Sequence, residues 1–323
     1  MSTYTPNESV SMGSSKSKYE AGPTNAITPP RTPTTTTSSA HKLFAEIQEI
    51  YADLLKLPNL APGGQVDELL TRLVGLCITP QSADFVSTLF SIRGANELYE
   101  ELRPLCAAAE GELEKFWAGR IIQDAEAQPT LDPKSLLASF PYHQNYIDLS
   151  NLEMATLSAY LSHNLPPKNI AFIGSGPLPL TSLCILDRYP SSTVHNIDRD
   201  ATALSVSKTL CQKLGYDRMT FSREDITAQE SKTKWGDFDV VFLAALVGCD
   251  TASKISILKS LAQKLTVGTL VVARSAKGLR EVLYPVLELS NELERETGLE
   301  ILVEVHPWTK VVNSVVVMRV TER

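Results

Sequence analysis

From residue 166 to the end, short apolar runs alternate with amphipathic stretches, and this alternation constrains the fold more than any other feature of the chain. NIAFIG (169–174), TVHNID (193–198), MTFSRED (219–225), FDVVFLAAL (238–246) and TLVVARS (269–275) read as strands. Helical patterns fill the gaps, over about 178–188, 201–214 and 253–265. Parallel strands need a crossover, and a helix is the usual one, so this order predicts a parallel, doubly wound sheet. A further helix is expected at about 279–296. LEILVEVHP (299–307) and NSVVVMRV (313–320) then lie too close in sequence for a crossover, which predicts an antiparallel pair at one end of the sheet.

The half before residue 166 follows a different period. Leu43, Phe44, Ile47, Ile50, Tyr51, Leu54 and Leu55 recur at helical spacing, as do Val66, Leu69, Leu70, Leu73, Val74 and Cys77. LAPGG (60–64) and TPQS (79–82) mark turns between helices. A long helix is expected from about Ala95 to Ala125. DPKS (132–135) opens a short one with Pro133 in its first turn. Residues 1–40 are rich in Ser, Thr and Pro, end in PPRTPTTTTSSA, and read as a disordered tail. The expected organisation is a tail (1–40), a helical domain (41–165) and an α/β domain (166–323).

Charge and cysteine content exclude several functions. Thirty Lys and Arg against 37 Asp and Glu leave a formal charge of −7, which speaks against a general nucleic-acid binder. The five cysteines (77, 106, 184, 211, 249) form no CxxC pair and are odd in number. They suit a reducing compartment and small core positions, with no disulfide framework or zinc site. There is no apolar run of about 18 residues to span a membrane, and no secretion signal in residues 1–40. A soluble, cytoplasmic protein is the expectation.

The first strand-to-helix turn reads FIGSGPLPLTS (172–182). Gly174 and Gly176 permit the tight turn and close ligand approach of a nucleotide-binding loop. Pro179 stands where a dinucleotide fingerprint has its third glycine, so the turn suits a mononucleoside such as S-adenosylmethionine. An ordinary tight turn is the alternative. Asp198 ends the second strand, 22 residues after Gly176, where an acidic side chain takes ribose hydroxyls. Asp200 reads as a helix cap. Asp225, after the third strand, reads either as an adenine-facing residue or as a surface turn. The expected cofactor-binding set is Gly174, Ser175, Gly176, Pro177, Leu178, Asp198, Asp225, and Ala244 and Ala245 at the end of the fourth strand.

Several ordered blocks add a resemblance. IGSGPLPLTS (173–182), FPYHQNY with LSNLE (140–153), HNIDRDATALS (195–205), ALVGCD (245–250), RSAKGLREVLYPV (274–286) and HPWTKVVNSVVV (306–317) resemble the nicotianamine synthase family, as does LCAAAEGELEKFWA (105–118). The resemblance implies a Rossmann-like, class I S-adenosylmethionine-dependent transferase domain under an N-terminal helical lid. It implies condensation of three S-adenosylmethionine molecules by aminocarboxypropyl transfer, releasing methylthioadenosine and giving nicotianamine, a metal chelator with a role in metal homeostasis. No metal is required for the transfer, and the sequence offers no protein site for one.

Redirecting attack from the methyl to the γ-carbon of the amino-acid arm is a positioning problem, and the incoming amine must lose a proton. Glu110 and Glu114, at i and i+4 on one helix, match acidic family positions and can raise each other's pKa; a solvated helix face is the alternative. Tyr142 and Tyr146 are the other catalytic candidates, against plain amphipathic packing. Arg274, at the end of the fifth strand, reads as a clamp on a substrate carboxylate or as the salt-bridge partner of a lid carboxylate. Glu153 reads as a further substrate-facing carboxylate or an ordinary helix residue. His143 and Trp308 depart from the family pattern, and His306 reads as a turn residue. Three other functions stay open: transfer of a single aminocarboxypropyl group to an acceptor such as histidine, small-molecule methyl transfer, and non-catalytic binding of S-adenosylmethionine.

Overall fold

The five apolar runs after residue 166 are strands β1 (Asn169–Ile173), β2 (Thr193–Asp198), β3 (Met219–Arg223), β4 (Val240–Leu243) and β5 (Leu270–Ser275) in a computed structural model. Residues 34–162, 165–228 and 231–322 are described. With β6 (Leu299–Val305) and β7 (Ser314–Val320) they form one seven-stranded sheet of order β3-β2-β1-β4-β5-β7-β6. The first five strands pair in parallel, whereas β7 runs antiparallel to both β5 and β6. The chain leaves β1 for β2 on one side and returns to β4 on the other, so the topological switch point, where open α/β sheets take their ligands, falls at the carboxyl ends of β1 and β4.

Among the described residues six α-helices precede the sheet: α1 (Thr35–Leu54), α2 (Gly64–Ile78), α3 (Ala83–Phe90), α4 (Ala95–Ala127), α5 (Pro133–Leu137) and α6 (His143–Ser158). Four more follow β1, β2, β4 and the segment after β5: α7 (Leu180–Arg188), α8 (Ala201–Lys213), α9 (Thr251–Lys264) and α10 (Asn291–Thr297).

Strand side chains alternate between two cores. Ile170, Phe172, Val240, Phe242, Val272, Val315 and Val317 face the second half of α4 together with α6, α7 and α8. Ala171, Ile173, Val241, Leu243, Val271, Val316 and Met318 face α9 and α10. A third core joins α1, α2, α3 and the first half of α4. Helix α4, 33 residues and about 50 Å long, thus belongs to two cores. Leu98, Tyr99 and Leu102 pack in the helical layer, and Ala118, Ile121 and Ala125 pack on the sheet. The Glu110–Glu114 stretch falls at the seam between them.

Two expectations change. Helix α1 begins inside the expected tail: Thr34 caps it through a bond from the Thr37 N–H (3.1 Å), and Ala40 is fully buried. The Ser/Thr run supplies the cap, and the apolar stripe holds the first turns down. The tail's residues 1–33 lie outside the described residues. The helix expected at 279–296 is instead a 3-10 turn (Gly278–Val282), an irregular stretch, and the short α10. Pro285 lacks an amide donor and disfavours helical backbone at Tyr284. The stretch also changes cores, with Leu279, Val282 and Leu283 in the helical layer and Leu287 and Leu293 against the sheet.

Candidate active site

Gly174 and Gly176 both take left-handed backbone (φ +78° and +63°), which glycine adopts at little cost. The Gly174 N–H donates to the Ile197 carbonyl (2.8 Å) and the Gly176 N–H to Asp198 Oδ2 (2.9 Å). Asp198 Oδ1 accepts the Asp200 N–H (3.0 Å), so backbone amides orient this carboxylate over the glycine turn. Space is the second reason for glycine here. A Cβ at Gly174 would run into the Val247 side chain, and one at Gly176 would lie 2.6 Å from Glu114 Oε2. Ser175 is buried and its hydroxyl has no protein partner. An unsatisfied buried hydroxyl is costly, and a polar ligand in this loop would satisfy it. Pro177 and Leu178 are buried, Leu178 in the core beneath the loop.

Glu114 therefore reaches from α4 onto the glycine loop, and around it lies a linked set of acids and phenols. The Tyr146 hydroxyl donates to Glu114 Oε1 (2.7 Å) and lies 3.5 Å from Glu110 Oε1. The Tyr284 hydroxyl donates to Glu110 Oε2 (2.9 Å). Burial pushes both carboxyls up. Glu114 rises to about 8 from burial and then from the Glu110 charge, with the Tyr146 bond pulling the other way. Glu110 is raised by burial, against the Tyr284 hydroxyl and the positive charge of Arg274. Both phenols are held well above their ordinary value, by burial and by the neighbouring carboxylates. Helix geometry explains the pair, since residues four apart share a face. Glu112, between them, is exposed.

Arg274 and Glu153 meet each other. The guanidinium donates to both Glu153 oxygens (2.7 and 3.0 Å) and to Thr181 Oγ1 (2.7 Å), and it lies over the Phe172 ring. Both residues are buried. Burial works against the Arg274 charge, but the Glu153 carboxylate outweighs it and holds the guanidinium pKa above its ordinary value. The fork is thus occupied by a carboxylate of α6, the salt-bridge alternative weighed for it.

Other candidates lie apart. Tyr142 caps α6, is 37% exposed, and sets its ring edge-on against Phe140. Asp225 is exposed and accepts the Thr227 N–H (2.9 Å) and hydroxyl (2.6 Å), which lower its pKa; this is its surface-turn alternative. Trp308 is 78% exposed. The His306 ring bonds Ser314 (2.9 Å), as suits a turn residue. Ala244 and Ala245 follow β4 beside the glycine loop, with Ala244 Cβ 3.1 Å from where a Gly174 Cβ would stand. Among the described residues no group of three His, Cys, Asp or Glu side chains could hold a metal ion, and no helix is long and apolar enough to cross a membrane.

Sequence reasoning missed two residues. Tyr284 carries no periodic signal, and its partner is 174 positions away. Lys254 is 1% exposed under the loop after β4, donating to the Ala245 and Val247 carbonyls (2.7 and 2.9 Å). Its signal was available: it occupies an apolar slot of α9 in line with Ile257, Leu258 and Leu261. Burial lowers its pKa to about 8.

A family model described as nicotianamine synthase protein matches residues 36–323. Nicotianamine synthase 3 of Oryza sativa subsp. indica is 37% identical over 281 residues, covering 86% of this chain and 78% of the relative. The nicotianamine synthase of Solanum lycopersicum is 37% identical over 284 residues, covering 87% and 84%. In fold, the chain is similar to MtNAS in complex with MTA and tNA (TM-score 0.69, 19% identity, 90% of this chain and 99% of that one). It is likewise similar to a mutant of MtNAS in complex with S-adenosylmethionine (TM-score 0.68, 21% identity, 86% and 98%). A match that runs from the first helix to the last residue, at this identity to the plant enzymes, means that the chain belongs to the nicotianamine synthase family.

Proposed function

We propose that this chain condenses three S-adenosylmethionine molecules into nicotianamine by successive aminocarboxypropyl transfer, releasing methylthioadenosine at each transfer. The observation that carries the reading is the approach of Glu114 to Gly176. It puts a half-buried carboxyl of raised pKa directly against the loop that would hold the sulfonium substrate. S-adenosylmethionine supplies an electrophilic γ-carbon whose C–S bond breaks as the C–N bond forms.

The chain's own residues must bind the acceptor ammonium, take its proton and fix its angle. Glu110 and Glu114 provide the negative field, and an entering ammonium favours their ionised forms. Glu114, nearer the glycine loop, is the proposed base. Tyr146 holds its Oε1 and so aims Oε2 at the loop side. Glu110, held by Tyr284, is proposed to anchor the ammonium. Ser175, Asp198 and the two glycines are proposed to hold the nucleoside. Arg274 and Glu153 act on this reading as a rigid strut beneath the site rather than as substrate ligands. The free state of all five cysteines suits a reducing cytoplasm.

The test is incubation of the purified chain with S-adenosylmethionine alone, followed by mass spectrometry. Methylthioadenosine together with a nicotianamine mass is the expected result. Methylthioadenosine only after adding histidine would mean a single-transfer enzyme, and S-adenosylhomocysteine a methyltransferase. Glu114→Gln should cut the rate about 10²- to 10⁴-fold, the usual contribution of a general base.

A further inference from the structure

Strand β7 enters the sheet with Ser314 opposite Ser275 and Val315 opposite Arg274. Val315 and Val317 face the core under α4, α6 and α7, the face on which Arg274 lies over Phe172. Asn313 immediately precedes β7, two residues before Val315, where the chain enters the sheet beside the carboxyl end of β5. The loop leading to it is pinned from two sides. Asn145, next to Tyr146, donates to the Lys310 carbonyl (2.8 Å). Arg280, on the segment that carries Tyr284, donates to the Thr309 and Val311 carbonyls (2.8 and 3.1 Å). The loop that ends at Asn313 is thereby tied both to the helix that carries Tyr146 and to the segment that carries Tyr284. Asn313 is 6% exposed, and its Nδ2 is buried with no partner. Buried amide donors are rarely left unmade without a functional reason.

We propose that Asn313 is a substrate-binding residue whose side-chain amide donates to the α-carboxylate of the accepting amino acid while the glutamate pair takes its ammonium. The inference rests on the proposed transfer reaction and adds to it the residue that recognises the acceptor's acid end. Charge explains the choice of an amide. An α-carboxylate lies within a few ångströms of its own ammonium, so its donor must sit close to Glu110 and Glu114. A cation there would pull their pKa values down and weaken them as bases. Arg274, the nearby cation, is already held by Glu153 and Thr181. A neutral donor binds the carboxylate without disturbing the pair.

The experiment compares Asn313→Ala, Asn313→Ser and Asn313→Asp in the full chain. Steady-state methylthioadenosine release should show KM for S-adenosylmethionine raised about 10- to 100-fold in Asn313→Ala, as for loss of a hydrogen bond to a charged group, with kcat within threefold. Asn313→Asp, similar in shape but repelling a carboxylate, should be worse, and Asn313→Ser should recover part of the loss. Calorimetric titration of S-adenosylmethionine in a Glu114→Gln background should show donor binding within threefold in each variant. An Asn313→Asp enzyme with KM within twofold of the parent overturns the proposal. So does parallel loss of donor binding and thermal stability in all three, which would mark a structural role. A parent chain that releases no methylthioadenosine would instead overturn the transfer reaction itself.

Discussion

Two carboxyls on one helix face, taken from water together, cannot both ionise cheaply. At Glu110 and Glu114 the cost falls where the glycine loop and the helical layer meet, and two phenols hold the oxygens in place. With Glu114 near pH 8, the free enzyme carries it mostly protonated at neutrality. kcat/KM should therefore rise with pH through about 8, and Glu114→Gln should abolish that limb; a pH–rate profile on both proteins checks this. Stability carries the opposite sign. A carboxyl raised above its unfolded value favours the fold fully below the ordinary carboxylate pKa, and this contribution drains away as pH climbs towards the folded value near 8. The parent should lose more thermal stability between pH 4.5 and 8 than Glu114→Gln does, as calorimetry at several pH values would show. That Glu110 and Glu114 share one helix face was legible from their i, i+4 spacing, but the resemblance to the family, not the spacing, singled them out against a solvated face. Tyr284 was not legible, because nothing local links it to Glu110.

At the scale of elements, the strands and most helices followed from period and turn chemistry. The two departures have separate causes: α1 starts earlier because a Ser/Thr run can cap a helix as well as populate a tail, and the helix expected at 279–296 is broken. Segment 279–296 has helical composition, yet it splits at Pro285 because its first half packs on the helical layer and its second on the sheet. The loop after β4 shows how a single buried charge organises an element. Lys254 bonds two of its carbonyls, and Gly248 at φ +81° lets the chain pass within van der Waals distance of that lysine's stem. Lys254→Met keeps the stem and removes the donors. It should cost about 1–3 kcal/mol for two carbonyls left unpaired and weaken S-adenosylmethionine binding, because Ala244 and Ala245 lose their support. Urea unfolding and calorimetric titration measure the two effects separately.

Across the whole molecule, the lid and sheet are tied by a buried ion pair and by one long helix. Glu153 of α6 and Arg274 of β5 are 121 positions apart and both out of water. Removing one partner strands a buried charge, so Glu153→Leu should destabilise the chain by about 3–5 kcal/mol. The double variant Glu153→Leu/Arg274→Met should be milder than that single change, a coupling that denaturant unfolding of the set will show. Alternation of strand and helix, the glycine turn and the acidic pair are local patterns. They follow from backbone sterics and residue periodicity, so the sequence by itself determined the α/β class, the glycine turn at the carboxyl edge of the sheet and the helix face that carries the acids. Which groups meet across the seam was decided only by the tertiary structure. Glu114 over Gly176, Tyr284 on Glu110, Arg274 on Glu153 and Asn313 with an unspent donor are contacts between distant segments. Their partners are selected by packing and by the cost of leaving buried polar groups unpaired, and no spacing along the chain encodes those terms.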